Sequence, residues 1–303
     1  MELQIYGSRG SIPTPATEDF DTRKYGGNTT CYVVKGKDGT MHVIDAGTGI
    51  RVLGNKMMKE GFRGKANLYI THTHWDHIQG FPFFTPAYVK GNNINVYGEA
   101  KVTGDLVAAL ENHTEIPRTF CVNGNGGIRD VFAQQQAPRN FPAPLEFMGG
   151  LGQFIDFAPG GLIAKIGDMT VTTAKINHPG GCVSYKFQED GKTIVIATDF
   201  EPDANGEDDS LVNWMKGADI VLADGQYERD SKINPFIKTW GHSDYVTDVE
   251  LCRRAGAKNL VLSHHEPKMD DGYHTDLETR AKALAGQYGI NAMLAREGAT
   301  YRV

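Results

Sequence analysis

Between positions 72 and 77 the chain reads His72-Thr73-His74-Trp75-Asp76-His77. Three imidazoles and a carboxylate stand within six residues, directly after the apolar run Leu68-Tyr69-Ile70. Such donors suit borderline metals such as zinc, iron or manganese. Residues two apart in an extended chain share a face, so a strand ending in a turn could aim His72 and His74 at one ion. Asp76 and His77 then fall on the following turn, where they could hold a second. A solvated loop that is merely rich in histidine is the plain alternative. Four ligand-type side chains in so short a stretch weigh against it, because loops that carry such clusters usually carry function.

Four donors do not fill two metal sites, so the remainder must come from later in the chain. His178 follows the strand-like run Met169–Ile176, and Asp199 follows the apolar run Thr193–Ala197. His264 follows Leu260–Leu262, with His265 beside it. Taken singly, each reads as a structural residue or a cap. Taken with residues 72–77, they make a joint pattern that points to a two-metal centre.

The elements that must position these residues alternate along the chain. Leu3–Tyr6, Cys31–Val34, Met41–Ile44, Asn67–Ile70 and Ile94–Tyr97 read as strands in the first third. They are short, rich in β-branched or aromatic residues, and separated by Gly- or Pro-bearing loops. Ile50–Gly61 and Gly104–Asn112 read as helices. In the second half Gly161–Ile166, Met169–Ile176, Val183–Phe187, Thr193–Ala197, Asp219–Ala223 and Leu260–Ser263 read as strands. Leu211–Lys216, Asp244–Ala255 (with Ser243 as N-cap) and Asp276–Tyr288 read as helices. Residues 113–151 hold four prolines, the run Gly124–Gly127 and no clear periodicity. They read as an irregular insertion bordering the site. Two β-rich halves packed face to face with helices outside make one domain over residues 1–303.

This arrangement resembles the metallo-β-lactamase fold superfamily. The match is carried in order along nearly the whole chain by the HxHxDH cluster, a lone His, a lone Asp and a late His. The resemblance implies an α+β fold, a four-layer αββα sandwich. It also implies that His72, His74 and His178 bind one metal, that Asp76, His77 and His264 bind the other, and that Asp199 bridges them. His264 is favoured over His265 because Leu262-Ser263-His264 looks like the family's strand-end ligand. Asp45, in Val43-Ile44-Asp45-Ala46-Gly47, resembles the buried acid that orients a ligand histidine; a turn aspartate is the bland reading. Trp240-Gly241-His242-Ser243 is similar to the phosphodiesterase branch typified by ribonuclease Z. There the histidine touches the scissile phosphate, and an upstream acid, here Asp224, orients it. Gly7–Pro13 and Tyr25–Thr30 also look like this branch, which nominates Arg9 and Asn28 as substrate contacts. Asp76, His242 and Asp224 are the expected catalytic residues. The implied cofactor is a pair of divalent ions, zinc first, with manganese or iron as the other choices.

Composition narrows the partner. The 303 residues carry a net charge of −6, 40% hydrophobic and 22% charged residues, and the sequence pI is near 5.9. A protein that grips a long nucleic acid normally shows a basic patch and a high pI. Ribonuclease Z relatives hold tRNA with a protruding arm, whose natural place is residues 113–151. That segment carries only Arg118, Arg129 and Arg139 as positive charges. The expectation is therefore a small phosphodiester, 3′,5′-cyclic nucleotides first, with Phe120, Phe132, Phe141 and Phe147 able to close on a base or simply to pack the loop. The alternatives are tRNA 3′-end processing and hydrolysis of a lactone, thioester or β-lactam; His242 argues against the latter. Scattered cysteines without a CxxC pair read as reduced thiols, and Met1–Tyr6 as a strand rather than a leader, so a cytoplasmic protein is expected. No run of about 18 apolar residues marks a membrane span. A homodimer is the expected assembly from the branch.

Overall fold

The computed structural model describes residues 1–100, 119–120, 126–202, 208–228 and 239–303. Its first sheet contains β1 (Glu2–Gly7), β2 (Cys31–Lys35), β3 (Met41–Ile44), β4 (Lys65–Tyr69), β5 (Asn93–Glu99), β6 (Thr119–Phe120), β7 (Leu151–Phe157) and β15 (Thr300–Arg302). The second contains β8 (Gly161–Ile166), β9 (Met169–Ile176), β10 (Cys182–Glu189), β11 (Lys192–Ala197), β12 (Ile220–Asp224), β13 (Asn259–Ser263) and β14 (Asn291–Leu294). The strand orders are 15-1-2-3-4-5-7-6 and 14-13-12-11-10-9-8. Each sheet changes from antiparallel to parallel pairing part-way across. β3, β4, β5 and β7 run parallel in one, and β11, β12, β13 and β14 in the other.

Period-two alternation builds the layers. In β11, Ile194 and Ile196 enter the core between the sheets, while Val195 and Ala197 face the helices. In β2, Tyr32 and Val34 point inward and Cys31 and Val33 outward. Successive side chains of a strand lie on opposite faces, so a strand apolar at every position needs cover on both sides. α1 (Gly49–Lys59) covers the first sheet through Leu53 and Met57. α4 (Asp209–Met215), α5 (Tyr245–Ala255) and α6 (Asp271–Gly286) cover the second through Leu211, Val249, Leu251, Leu277 and Ala281. The three apolar interfaces make the expected αββα sandwich.

Some local readings change. Part of the supposedly irregular insertion is α3 (Ile128–Gln135), whose Ile128 and Phe132 are buried under the first sheet; the Phe132 and Phe81 ring centroids are 4.0 Å apart. Ile128, Val131 and Phe132 have helical spacing, but a single turn of it is too short a signal to reveal the helix. Phe132 is core, whereas Phe147 is exposed and Phe141 meets Phe83. α5 is capped by Asp244, not Ser243; the Asp244 carboxylate accepts from the Val246 and Thr247 amides. α6 begins at Asp271, capped by Asp270, ahead of the expected Asp276. The helix expected at 104–112, the Phe120 side chain and residues 121–125 lie outside the described residues. Among the described residues, no helix is long and apolar enough to cross a membrane.

Candidate metal centre

The histidine and aspartate donors converge where strands of both sheets end. Asp45 follows β3, residues 72–77 follow β4, His178 follows β9, Asp199 follows β11, and His264 follows β13. α2 (Trp75–Ile78) turns Asp76 and His77 back toward the centre. Three of these residues, Asp45, Asp199 and His264, sit at φ of 63°, 61° and 59°. The left-handed region costs a non-glycine residue roughly 1–3 kcal/mol and is concentrated at functional sites. All three touch one ring. His77 Nδ1 is 2.7 Å from Asp45 Oδ2, and His77 Nε2 is 3.3 Å from both Asp199 Oδ1 and His264 Nε2.

His77, His178 and His264 are each oriented through Nδ1. His264 Nδ1 donates to Gln226 Oε1 at 2.7 Å, and His178 Nδ1 donates to the Gly241 carbonyl at 2.8 Å. Asp45 itself accepts from the Thr71 amide and hydroxyl. The remaining nitrogens point at one another: His178 Nε2 faces His74 Nδ1 at 3.1 Å, and His77 Nε2 faces His264 Nε2. Lone pairs brought together in this way need a cation between them. His72 Nε2 and Asp199 Oδ2 are buried with no hydrogen-bond partner. Such orphaned donors and acceptors are rare and call for an explanation. The donors fall into overlapping groups: His72, His74 and His178; His72, His77 and Asp199; Asp76, His77 and His264; Asp199, His242 and His264. The residues present therefore fit divalent metal, and Asp199 belongs to two of the groups.

The electrostatics agree. Burial opposes charge on His264, yet Asp199 and Asp76 carry its pKa up to about 9. Burial likewise opposes ionisation of Asp199, but His264 and His77 hold it well below the usual carboxylate range. Buried carboxylates and imidazoles thus hold one another charged in this centre. His242 Nδ1 lies 2.7 Å from Asp224 Oδ2, and its ring stacks on His264 at 4.9 Å between centroids. With Nδ1 committed to Asp224, Nε2 is the ring nitrogen left for a ligand. A cleft of 650 Å³ opens beside His178, lined by Lys175, Asn177, Gly180, Gly181 and Ser210 among others.

The structure brings together His72, His74, Asp76, His77, His178, Asp199, His242, Asp224, His264 and Asp45. It leaves out the two expected substrate contacts. Arg9 is fully buried and donates to the carbonyls of Gly26, Glu266 and Met269. Its role is to tie loops together, because three main-chain oxygens hold its Nε and Nη1 from inside, while Nη2 stands 4.0 Å from Asp271 Oδ1. Asn28 is pinned by Glu297 through its amide and side chain, in a pocket that none of the metal-centre residues line. His265 turns away, with Nε2 on the Ala295 carbonyl. Gln226 and Gly241, which orient ligand rings, went unassigned in the sequence. Their only signal is adjacency to Asp224 and His242. Glu201 adds a further hold, accepting from the amides of Thr239 and Gly241.

Comparison with known proteins agrees with this fold. A family model described as the beta-lactamase superfamily domain matches residues 153–265. Ribonuclease Z of Clostridium tetani is 20% identical, over 89% of this chain and 90% of its own. The metallo-beta-lactamase fold protein YhfI of Bacillus subtilis superposes with a TM-score of 0.67 at 18% identity, covering 99% of this chain and 98% of that one. The short form of human tRNase Z superposes with a TM-score of 0.63 at 16% identity, covering 100% and 99%.

Proposed function

On the premise that this chain has the metallo-β-lactamase fold, we propose that it is a two-metal phosphodiesterase of the ribonuclease Z type, acting on RNA. The observation that carries the reading is the His242–Asp224 pair, 2.7 Å apart and stacked beside the shared donor set. Divalent ions bound there supply Lewis acidity toward phosphoryl oxygens and a water acidic enough to ionise near neutral pH. The chain's own residues do the rest. Asp199 orients His77 and His264 through Oδ1. Asp224 fixes the His242 tautomer, so that Nε2 delivers a proton to the leaving oxygen. The ribonuclease names among the relatives favour RNA over the cyclic nucleotide expected from composition.

A second reading, a small or cyclic phosphodiester, is favoured by the net charge of −6 and by the packing of α3 into the core, where a protruding arm was the alternative. The test is a substrate panel on protein of measured metal content: precursor tRNA, 3′,5′-cyclic AMP, an aryl phosphodiester and a β-lactam. Wild type should cut the phosphodiesters. His242→Ala should retain its metals and lose about 10²–10⁴-fold in turnover where the leaving group is poor. Activity on the β-lactam alone would overturn the proposal. Cleavage of cyclic AMP without precursor tRNA would select the second reading.

A further inference from the structure

Two exposed indoles flank this centre in sequence, Trp75 and Trp240. Trp75 lies between the donors His74 and Asp76 and is 69% exposed. Its ring makes no hydrogen bond, ring contact or cation contact with another described residue. Trp240 is 51% exposed and precedes Gly241, whose carbonyl holds His178. Among the described residues its ring neighbour is Tyr227, edge-on at 6.4 Å, which in turn stands edge-on to His242 at 5.5 Å. The third tryptophan shows what this fold does with an indole that it uses for packing. Trp214 is partly buried, donates Nε1 to Ser184 Oγ at 2.9 Å and lies under Lys186 at 4.0 Å.

Leaving an indole in water forgoes about 25 cal/mol for each Å² of apolar surface it could have buried. Trp75 is joined to the centre through the backbone of two donors, and Trp240 through Gly241, whose carbonyl holds His178, so both indoles stand at fixed places beside the centre. We propose that Trp75 and Trp240 are stacking platforms for the nucleobases next to the scissile phosphate, and so specificity-determining residues. This rests on the phosphodiesterase reading above. Every base offers a π-face, so such platforms grip single-stranded substrate without selecting sequence. They also give an acidic protein a hold on nucleic acid that does not depend on a basic surface.

The test compares a short single-stranded RNA with the same backbone made abasic at the nucleotides flanking the cleaved linkage. Both are used on metal-loaded protein, with KM and kcat read separately. Wild type should favour the base-bearing strand by about 5- to 150-fold in KM for each platform, and Trp75→Ala or Trp240→Ala should collapse that ratio. Trp75→Phe should restore most of it, which a merely structural role would not require. Binding is read independently of turnover, from quenching of indole fluorescence by a phosphorothioate 2′-O-methyl RNA in a Trp214→Phe background. Equal ratios in wild type and both alanine variants, or no quenching, would overturn the assignment. Quenching and discrimination in binding without cleavage of any phosphodiester would instead leave the platforms standing and overturn the proposed reaction.

Discussion

Gly241 offers a sharp test of how the first metal position is built. Its φ is +89°, and a methyl group added there would fall 2.7 Å from His178 Cε1 and nearer still to Nδ1 and to Pro179 Cδ. Gly241→Ala therefore has two costs. Left-handed backbone at a non-glycine residue costs roughly 1–2 kcal/mol. The imidazole must also withdraw by on the order of 1 Å, which breaks its 2.8 Å bond to the Gly241 carbonyl and moves Nε2 off its place opposite His74. Displacements of that size cost about 10²-fold in rate when they misplace a reacting assembly. The control is Gly256→Ala, at φ +66° with nothing near the added carbon, which meets the backbone cost alone. The assay combines kcat/KM on an aryl phosphodiester, metal stoichiometry by mass spectrometry, and thermal midpoint. Both variants should lose the backbone cost in stability, and Gly241→Ala the larger amount. Only Gly241→Ala should lose about 10²-fold in kcat/KM together with part of its bound metal. Activity within threefold of wild type at full stoichiometry, on the order of the ordinary spread between harmless variants, would refute the role given to this glycine.

Asp45→Asn should weaken metal retention about 10- to 100-fold in a chelator competition, because His77 loses the carboxylate that fixes its tautomer. Arg9→Lys should lower the chemical-denaturation midpoint by the equivalent of about 3 kcal/mol or more, since a lysine cannot serve three separated carbonyls. Its KM should stay at the wild-type value, and a raised KM at unchanged stability would restore Arg9 as a substrate contact. His42 and His274 are pushed down to about 4, chiefly by burial, from an unfolded value near 6.5. The unfolded chain therefore takes up these protons first. The stability they confer is complete above pH 6.5 and is lost as pH falls toward 4, by about 3 kcal/mol for each histidine. Denaturant midpoints measured across that range should fall less steeply for His42→Phe than for wild type, and parallel curves would refute the assignment.

What the sequence made legible is what local chemistry dictates. The cluster at 72–77 announces itself through spacing, and His178, Asp199 and His264 through their place after apolar strands. The sandwich follows from strands that are apolar on both faces. Arg9 was misjudged because nothing local tells a guanidinium facing solvent from one caged by carbonyls of residues 26, 266 and 269. β15 was missed because three residues gain their strand identity only by pairing with β1 across the length of the chain. α3 was missed because its apolar face, Ile128, Val131 and Phe132, spans a single turn. Gln226 and Gly241 act through a side-chain amide and a main-chain carbonyl, which carry no signature until the loops are folded together.

The donors come from both sheets, and none of the four donor groups is drawn from one sheet alone, apart from the group of Asp199, His242 and His264. The centre therefore works as a registration mark for the docking of the two halves. Side chains alternate along a strand, so a slip of one residue in β4, β11 or β13 would turn donors away from the seam. Loading of a full metal complement is accordingly a report on tertiary assembly. In refolding, it should arrive with the closing of the sandwich rather than with the formation of either sheet.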